Sequence, residues 1–376
     1  MLSWTSSALV CLIFTVSSFF GGILNSYNKF GAVAAAPLLL NMFFIIALLS
    51  AYFFDLDFGW SITFAVPMAG LAQLLLIWNT LKKENFKFKM KFPTISDETK
   101  KLVRVAIPAA MAGGVIQINL LVGRQVASYF EGAIAWLNYS DRLYQLPLGV
   151  VGITVGVVLL PRLSTLTTRE DREKAINTIN RSAEFALLLT LPAAFALCVI
   201  SYPIVSVLFE RGLFKAIDTL NTSRALVIYS FGLPAFVMQK VFSTIYFANG
   251  DTTSPFRFAL IAMFCNLILA IALTRVFGFL AAPIATTLSG WLLTILLFRN
   301  SKVFGFAFDS LFRDKVLKIL LASIALSITV NSMAAYFAAE LASGYLRYIT
   351  LLLIVATGAA IYFLICYLLG LFSKTN

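Results

Sequence analysis

Runs of about twenty almost uninterrupted apolar residues recur from one end of this 376-residue sequence to the other. A helix of that length just crosses the ~30 Å hydrocarbon core of a bilayer. The stretches from Ala32 to Phe54 and from Ile349 to Leu369 are the clearest. Strand-type alternation of apolar and polar residues is absent, so the spans are helices rather than the staves of a barrel. With 60% apolar residues, 12% charged residues and a mean hydropathy of +0.90, no water-soluble core of this length would bury the apolar excess.

The pattern predicts about eleven spans, near residues 4–24, 32–54, 59–80, 101–129, 133–160, 183–208, 224–247, 256–274, 278–298, 316–338 and 345–371. The expected fold is an all-α integral membrane protein. The expected division is 1–80, three helices; 81–100, a basic cytoplasmic linker; 101–300, six helices; and 301–376, two additional helices.

Basic residues concentrate in cytoplasmic loops, so their distribution fixes an expected orientation. One side of the membrane holds only Arg211, Lys215, Arg224, Arg275 and Arg347, while Arg124, Arg142 and Lys240 fall within spans. All others of the 29 Lys and Arg lie on the opposite, cytoplasmic side, which includes the C-terminus. The net charge of +12 is therefore a signature of topology, and no nucleic-acid partner is expected. With an odd number of crossings Met1 starts outside, and an odd number of helices is expected upstream.

The chain contains no histidine, which excludes imidazole bases, Ser-His-Asp triads and His-ligated metals. Cys11, Cys198, Cys265 and Cys366 are scattered through apolar runs and read as small buried residues. No phosphate-binding glycine loop or carboxylate pair occurs in an aqueous segment, so ATP hydrolysis is not expected. In the segment Lys82–Lys101, phenylalanines alternate with lysines. This suits either a solvated linker or a segment lying on anionic headgroups. The mixed-charge stretch from Thr165 to Arg181 suits a short helical surface connector.

Polar residues inside spans are costly and mark function or helix contact. In the fifth span Asn138, Arg142, Gln145, Gly149, Gly152 and Gly156 recur every three or four residues and share one face, polar above and glycine below. The upper part is expected to line a wet cavity and the lower part to allow close helix contact. An arginine near mid-span costs roughly 2.5–3.5 kcal/mol on insertion scales and needs compensation. Asp141 is the adjacent candidate, giving either a buried ion pair or an anion-receiving cavity. Gly113, Gln117 and Arg124 share a face of the fourth span, and Lys240 lies in the seventh. Both cations either reach toward headgroups or enter the same cavity.

The run Tyr139-Ser140-Asp141-Arg142-Leu143 with Pro147 and Gly149, then Leu160-Pro161-Arg162-Leu163-Ser164, resembles the signature of the MurJ/MviN family. Gly21-Gly22-Ile23-Leu24-Asn25-Ser26-Tyr27 with Phe30, Phe209-Glu210-Arg211-Gly212-Leu213-Phe214, and Gly232-Leu233-Pro234-Ala235-Phe236 followed by Asp251-Thr252 and Pro255 agree in order and spacing. The resemblance covers essentially the whole chain. It implies a two-lobe fold of the multidrug/oligosaccharidyl-lipid/polysaccharide exporter type, here matching from the fourth family helix onward with an incomplete N-terminal lobe.

The resemblance further implies a lipid II flippase of peptidoglycan synthesis in the bacterial inner membrane, a transporter rather than an enzyme. The substrate would be an undecaprenyl-pyrophosphate-linked precursor. Substrate-binding residues would be Arg142, Asp141, Arg124, Lys240, Gln145 and Asn138, with Arg142 matching the family's cavity arginine. The last two helices match those forming a groove for the polyprenyl tail. Asn266 and Thr286 match sodium-site positions in some members, but Gly123 and Ala270 stand where the acidic partners stand, so no metal site is expected. Cofactors are not expected, the drive being membrane potential or ion coupling. Partners are lipid II, membrane lipids and a separately encoded three-helix N-terminal segment. Alternatives are export of another lipid-linked saccharide or a drug, or an inactive or split fragment.

Overall fold

The computed structural model describes residues 2–27, 29, 31–84, 97, 100, 114, 117–154, 169–342 and 344–372. They form two compact units, Met1–Ser96 and Asp97–Asn376. Much of the expected linker, the first part of the fourth span, the lower end of the fifth and the Leu160–Ser164 motif lie outside the described residues.

The first unit has three helices, α1 (Leu2–Ser26), α2 (Gly31–Phe53) and α3 (Phe58–Lys83). Both α1 and α2 pack on α3, around Phe20, Leu24, Ala36, Ile77 and Leu81. α3 starts where the Asp57 carboxylate accepts the backbone N–H of Trp60 at 2.8 Å, and it ends on Lys82 and Lys83, which suit the negative end of the helix dipole. Lys29 meets Glu84 at 3.0 Å, tying the entry of α2 to the exit of α3. α2 is apolar all round yet nearly bare, with Leu38 63% exposed and only Ala36 and Ala51 buried. Such a surface is stable against lipid and not against water.

The second unit contains a helical stretch at 117–127 (α4), then α5 (Ala133–Thr154), α6 (Arg169–Val199), α7 (Ser201–Phe209), α8 (Ala216–Ala248), α9 (Thr253–Phe277), α10 (Ala281–Ser301), α11 (Ser310–Tyr336), α12 (Ala338–Ala342) and α13 (Leu346–Leu368). α8 is central, packing against α5, α6, α7 and α10. Its start is locked to α5 because the Asp218 carboxylate accepts both Trp136 Nε1–H at 2.7 Å and the Lys215 backbone N–H at 2.8 Å. Buried polar groups are satisfied across helices: Tyr246 donates to the carbonyl of Leu297 and Tyr362 to that of Leu188, each at 2.7 Å. α11 lies on α6, and α13 lies on α11.

Seven described helical stretches are long and apolar enough to cross a membrane, with α9 and α10 counted together as Thr253–Phe304. α5 is not among them because Asn138, Asp141 and Arg142 interrupt its apolar run. Three boundaries differ from the sequence expectation. The segment Thr165–Arg181 is no separate connector: from Arg169 it belongs to α6, which continues into the membrane stretch. The expected single span 183–208 breaks at Ile200, because the ring of Pro203 displaces the carbonyl four residues earlier while fitting the first turn of α7. α8 begins eight residues before the expected 224, so Arg224 is helical and exposed.

Candidate functional site

α5 carries the polar stripe of the sequence pattern, and the helix continues through Pro147 to Thr154. Its inner side is sealed: Ser140 is fully buried and returns its hydroxyl to the carbonyls of Trp136 and Leu137 at 3.0 Å, while Leu143 packs into the core of α7, α8 and α11. The next positions round the helix, Asn138, Asp141 and Tyr144, open onto a cavity of about 300 Å³. Asn119, Gly123 and Arg124 of α4, Tyr229, Phe236 and Gln239 of α8, and Thr286, Ser289 and Gly290 of α10 close the rest of its wall.

The charged groups of the cavity come from α4 and α5, α10 adds the hydroxyls of Thr286 and Ser289, and α9 contributes only Ala259 and Ala262. Asp141 is half-buried and accepts hydrogen bonds from the Tyr144 hydroxyl and from Gln145 Nε2. It also lies within electrostatic reach of Arg142 and Arg124. The Tyr144 ring stacks on Tyr229 with centroids 4.8 Å apart. Gln239 Nε2 donates to the carbonyl of Gly290 at 2.7 Å, leaving its amide oxygen for other partners. Of the charged groups, Arg124 and Asp141 line the cavity itself, and Arg142 stands beside it on the exposed face of α5.

The sequence candidates therefore separate into two groups. Asn138, Asp141 and Arg124 are brought together around the cavity. Arg142 and Gln145 are exposed on the adjoining face of α5, and Lys240 is exposed on α8 and does not line the cavity. Lys240 is one residue beyond Gln239, and one step of about 100° turns its side chain away. The expectation of close helix contact at Gly149 is not met: among the described residues nothing lies within 4 Å of a Cβ built there. Gly156 lies outside the described residues.

Of the cation-site candidates, Thr286 lines the cavity, and Asn266 is 2% exposed and donates to Asn119 Oδ1 at 2.9 Å. Among the described residues no group of three or more His, Cys, Asp or Glu is arranged to hold a metal. Asn119, Tyr144, Tyr229 and Gln239 were not singled out from sequence. The signal was available for Tyr229, Phe236 and Gln239, whose spacing of seven and three residues places them on one face of α8.

Comparison with known proteins identifies this architecture. The family model described as lipid II flippase MurJ matches residues 6–357. "Probable lipid II flippase MurJ" of Rhizobium tropici is 42% identical over 287 residues, covering 76% of this chain and 54% of that protein. The protein of the same name from Rhizobium meliloti is 37% identical over 369 residues, covering 96% of this chain and 69% of its own length. A solved structure of lipid II flippase MurJ in an inward closed conformation superposes with a TM-score of 0.77 at 26% identity, covering 95% of this chain and 71% of that one. The chain thus spans about half the length of the first relative and about 70% of the other two proteins. On the extent of the family match and these identities, this multi-pass membrane protein belongs to the lipid II flippase MurJ family.

Proposed function

We propose that the chain takes part in moving lipid II, the undecaprenyl-pyrophosphate-linked precursor of peptidoglycan, across the bacterial inner membrane by alternating access. It acts as a transporter and carries out no bond chemistry. The observation that carries the reading is the polar cavity at α4 and α5, where Arg124, Asn138 and Asp141 converge. Arg142 lies on the adjoining face of the same helix.

In this reading Arg142 and Arg124 engage the pyrophosphate, whose oxygens match the paired donors of a guanidinium. Asp141 orients the arginines and is itself held by Tyr144 and Gln145. Asn138 offers an amide to the sugar or phosphate, and Lys240 adds a positive charge nearer the cytoplasmic end. The C-terminus is cytoplasmic by the distribution of Lys and Arg. No cofactor is required, because an interior-negative potential assists outward movement of an anion by about 2.3 kcal/mol per charge per 100 mV. Membrane lipids surround the apolar helices. A separately encoded three-helix segment is the partner proposed for the first unit.

Complementation of a strain depleted of its own lipid II flippase tests the reading, with the three-helix segment supplied where needed. Arg142→Ala abolishes growth support while membrane insertion is retained. Full rescue by Arg142→Ala overturns the role given to the arginine.

A further inference from the structure

At the end of the second unit where basic residues are fewest, two arginines from separate segments meet one phenol. The turn after α7 places Arg211 ahead of Gly212, whose φ of +61° reverses the chain. Arg347 opens α13, stacks over the Tyr348 ring at 4.9 Å and donates from Nη2 to the Tyr348 hydroxyl at 2.9 Å. Arg211 lies within electrostatic reach of the same hydroxyl. Among the described residues neither guanidinium is within ion-pair distance of a carboxylate, and Arg347 Nε is shielded yet has no hydrogen-bond partner. Two like charges converging on a neutral oxygen repel each other unless an anion joins them.

The surroundings indicate where that anion comes from. Leu213 is 94% exposed and Tyr345 is 92% exposed, each within two residues of an arginine of the pair, and Tyr336 and Leu346 are bare at the same end. Aromatic and apolar side chains at span ends sit at headgroup depth, with apolar groups dipping toward the acyl chains. These exposed side chains favour a position for the arginine pair level with lipid phosphates. We propose that Arg211, Arg347 and Tyr348 form a binding site for the phosphate of an anionic phospholipid headgroup. This goes beyond translocation: the site is formed within the second unit, apart from the α4–α5 cavity. The two guanidiniums grip the phosphate, Tyr348 fixes their spacing, and Leu213 and Leu346 contact the acyl chains.

Native mass spectrometry of the purified full chain, exchanged into micelles doped with equal phosphatidylglycerol and phosphatidylcholine, tests this. The wild type retains phosphatidylglycerol roughly tenfold over phosphatidylcholine, in keeping with two arginines near an anionic headgroup. Arg211→Gln with Arg347→Gln loses the preference, whereas Arg313→Gln, an exposed arginine at the start of α11, keeps it. If the double variant fails to fold, Arg211→Gln alone, on an exposed turn, reduces the preference in part. Equal retention of both lipids by the wild type, or an unchanged preference in the arginine variants, overturns the proposal. So does complete displacement of phosphatidylglycerol by excess inorganic phosphate, which would assign the pair to a free anion.

Discussion

Lys315 Nζ on α11 stands 3.2 Å from Glu184 Oε2 on α6, in a site where the glutamate is only 8% exposed. The other oxygen of Glu184 meets Arg181, which also reaches Asp309, and Asp309 in turn caps α11 by accepting the Phe312 backbone N–H at 2.6 Å. Two acids and two bases alternate, so each carboxylate has a cation and the helix start is fixed by the same network.

Removing one member of this network leaves its partners uncompensated in a shielded place, which costs more than the pair contributes. Glu184→Ala juxtaposes Arg181 and Lys315 and is expected to lower stability by about 2–3 kcal/mol, discounted from the fully buried case because Arg181 and Asp309 stay part-exposed. Lys315→Ala costs less, since Glu184 keeps Arg181. Thermal unfolding in detergent checks both; equal effects would mean that the network does not discriminate its two bases.

Gly358 on α13 faces Val330 on α11 so closely that a Cβ would overlap the valine methyl. Small residues permit such approach between membrane helices, and dispersion across the contact replaces the hydrophobic drive that lipid does not supply. Gly358→Ala therefore forces the helices apart and costs about 1–3 kcal/mol. Val330→Ala in the same chain restores most of the loss by vacating that volume. A double-mutant cycle on unfolding midpoints reads the coupling, and strict additivity would contradict the contact.

Asp251, in the turn between α8 and α9, accepts the backbone N–H groups of Ser254 at 2.9 Å and Thr253 at 3.0 Å. The Ser254 hydroxyl first, and then these backbone groups, hold its carboxyl below the usual carboxylate range by hydrogen bonding to the ionised form. A depressed value means that the folded state favours the ionised form. The contribution is complete above the ordinary carboxylate value and is lost as pH falls through the lower folded value. Asp251→Ala is expected to cost about 1 kcal/mol near neutral pH, as for other helix-start acceptors. The difference from wild type should shrink on acidification, and a difference that grew as pH fell would reverse the assignment.

The second span was placed within one residue at each end because its apolar run is unbroken and turn residues flank it. The sequence separates a helical connector ending at Arg181 from a span beginning at 183, and the structure joins them in one helix, because the charges of Arg181 and Glu184 are met by Asp309 and Lys315 from a segment far along the chain. The same holds at the site. The stripe on α5 was visible because one helix carries it, but Asn119, Tyr229 and Gln239 join it only through packing of α4 and α8. Charge drew attention to Lys240, while the helical phase of α8 turns its neutral neighbour Gln239 inward.

Asp141 separates a structural from a functional role for the cavity. Its carboxylate accepts from Tyr144 and Gln145 and lies near Arg124 and Arg142, so it organises one polar corner without being sealed in a dry ion pair. Asp141→Asn preserves size and some hydrogen bonding but removes the negative charge between the arginines. If that charge only holds helices together, unfolding stability falls and transport follows it. If it orients guanidiniums for an anion, stability changes little while lipid II movement in proteoliposomes falls by about tenfold or more. Tyr144→Phe, which deletes one donor to the carboxylate and keeps the stack on Tyr229, should give a smaller loss of the same kind. Loss of stability in step with transport for both variants would reduce Asp141 to a packing element.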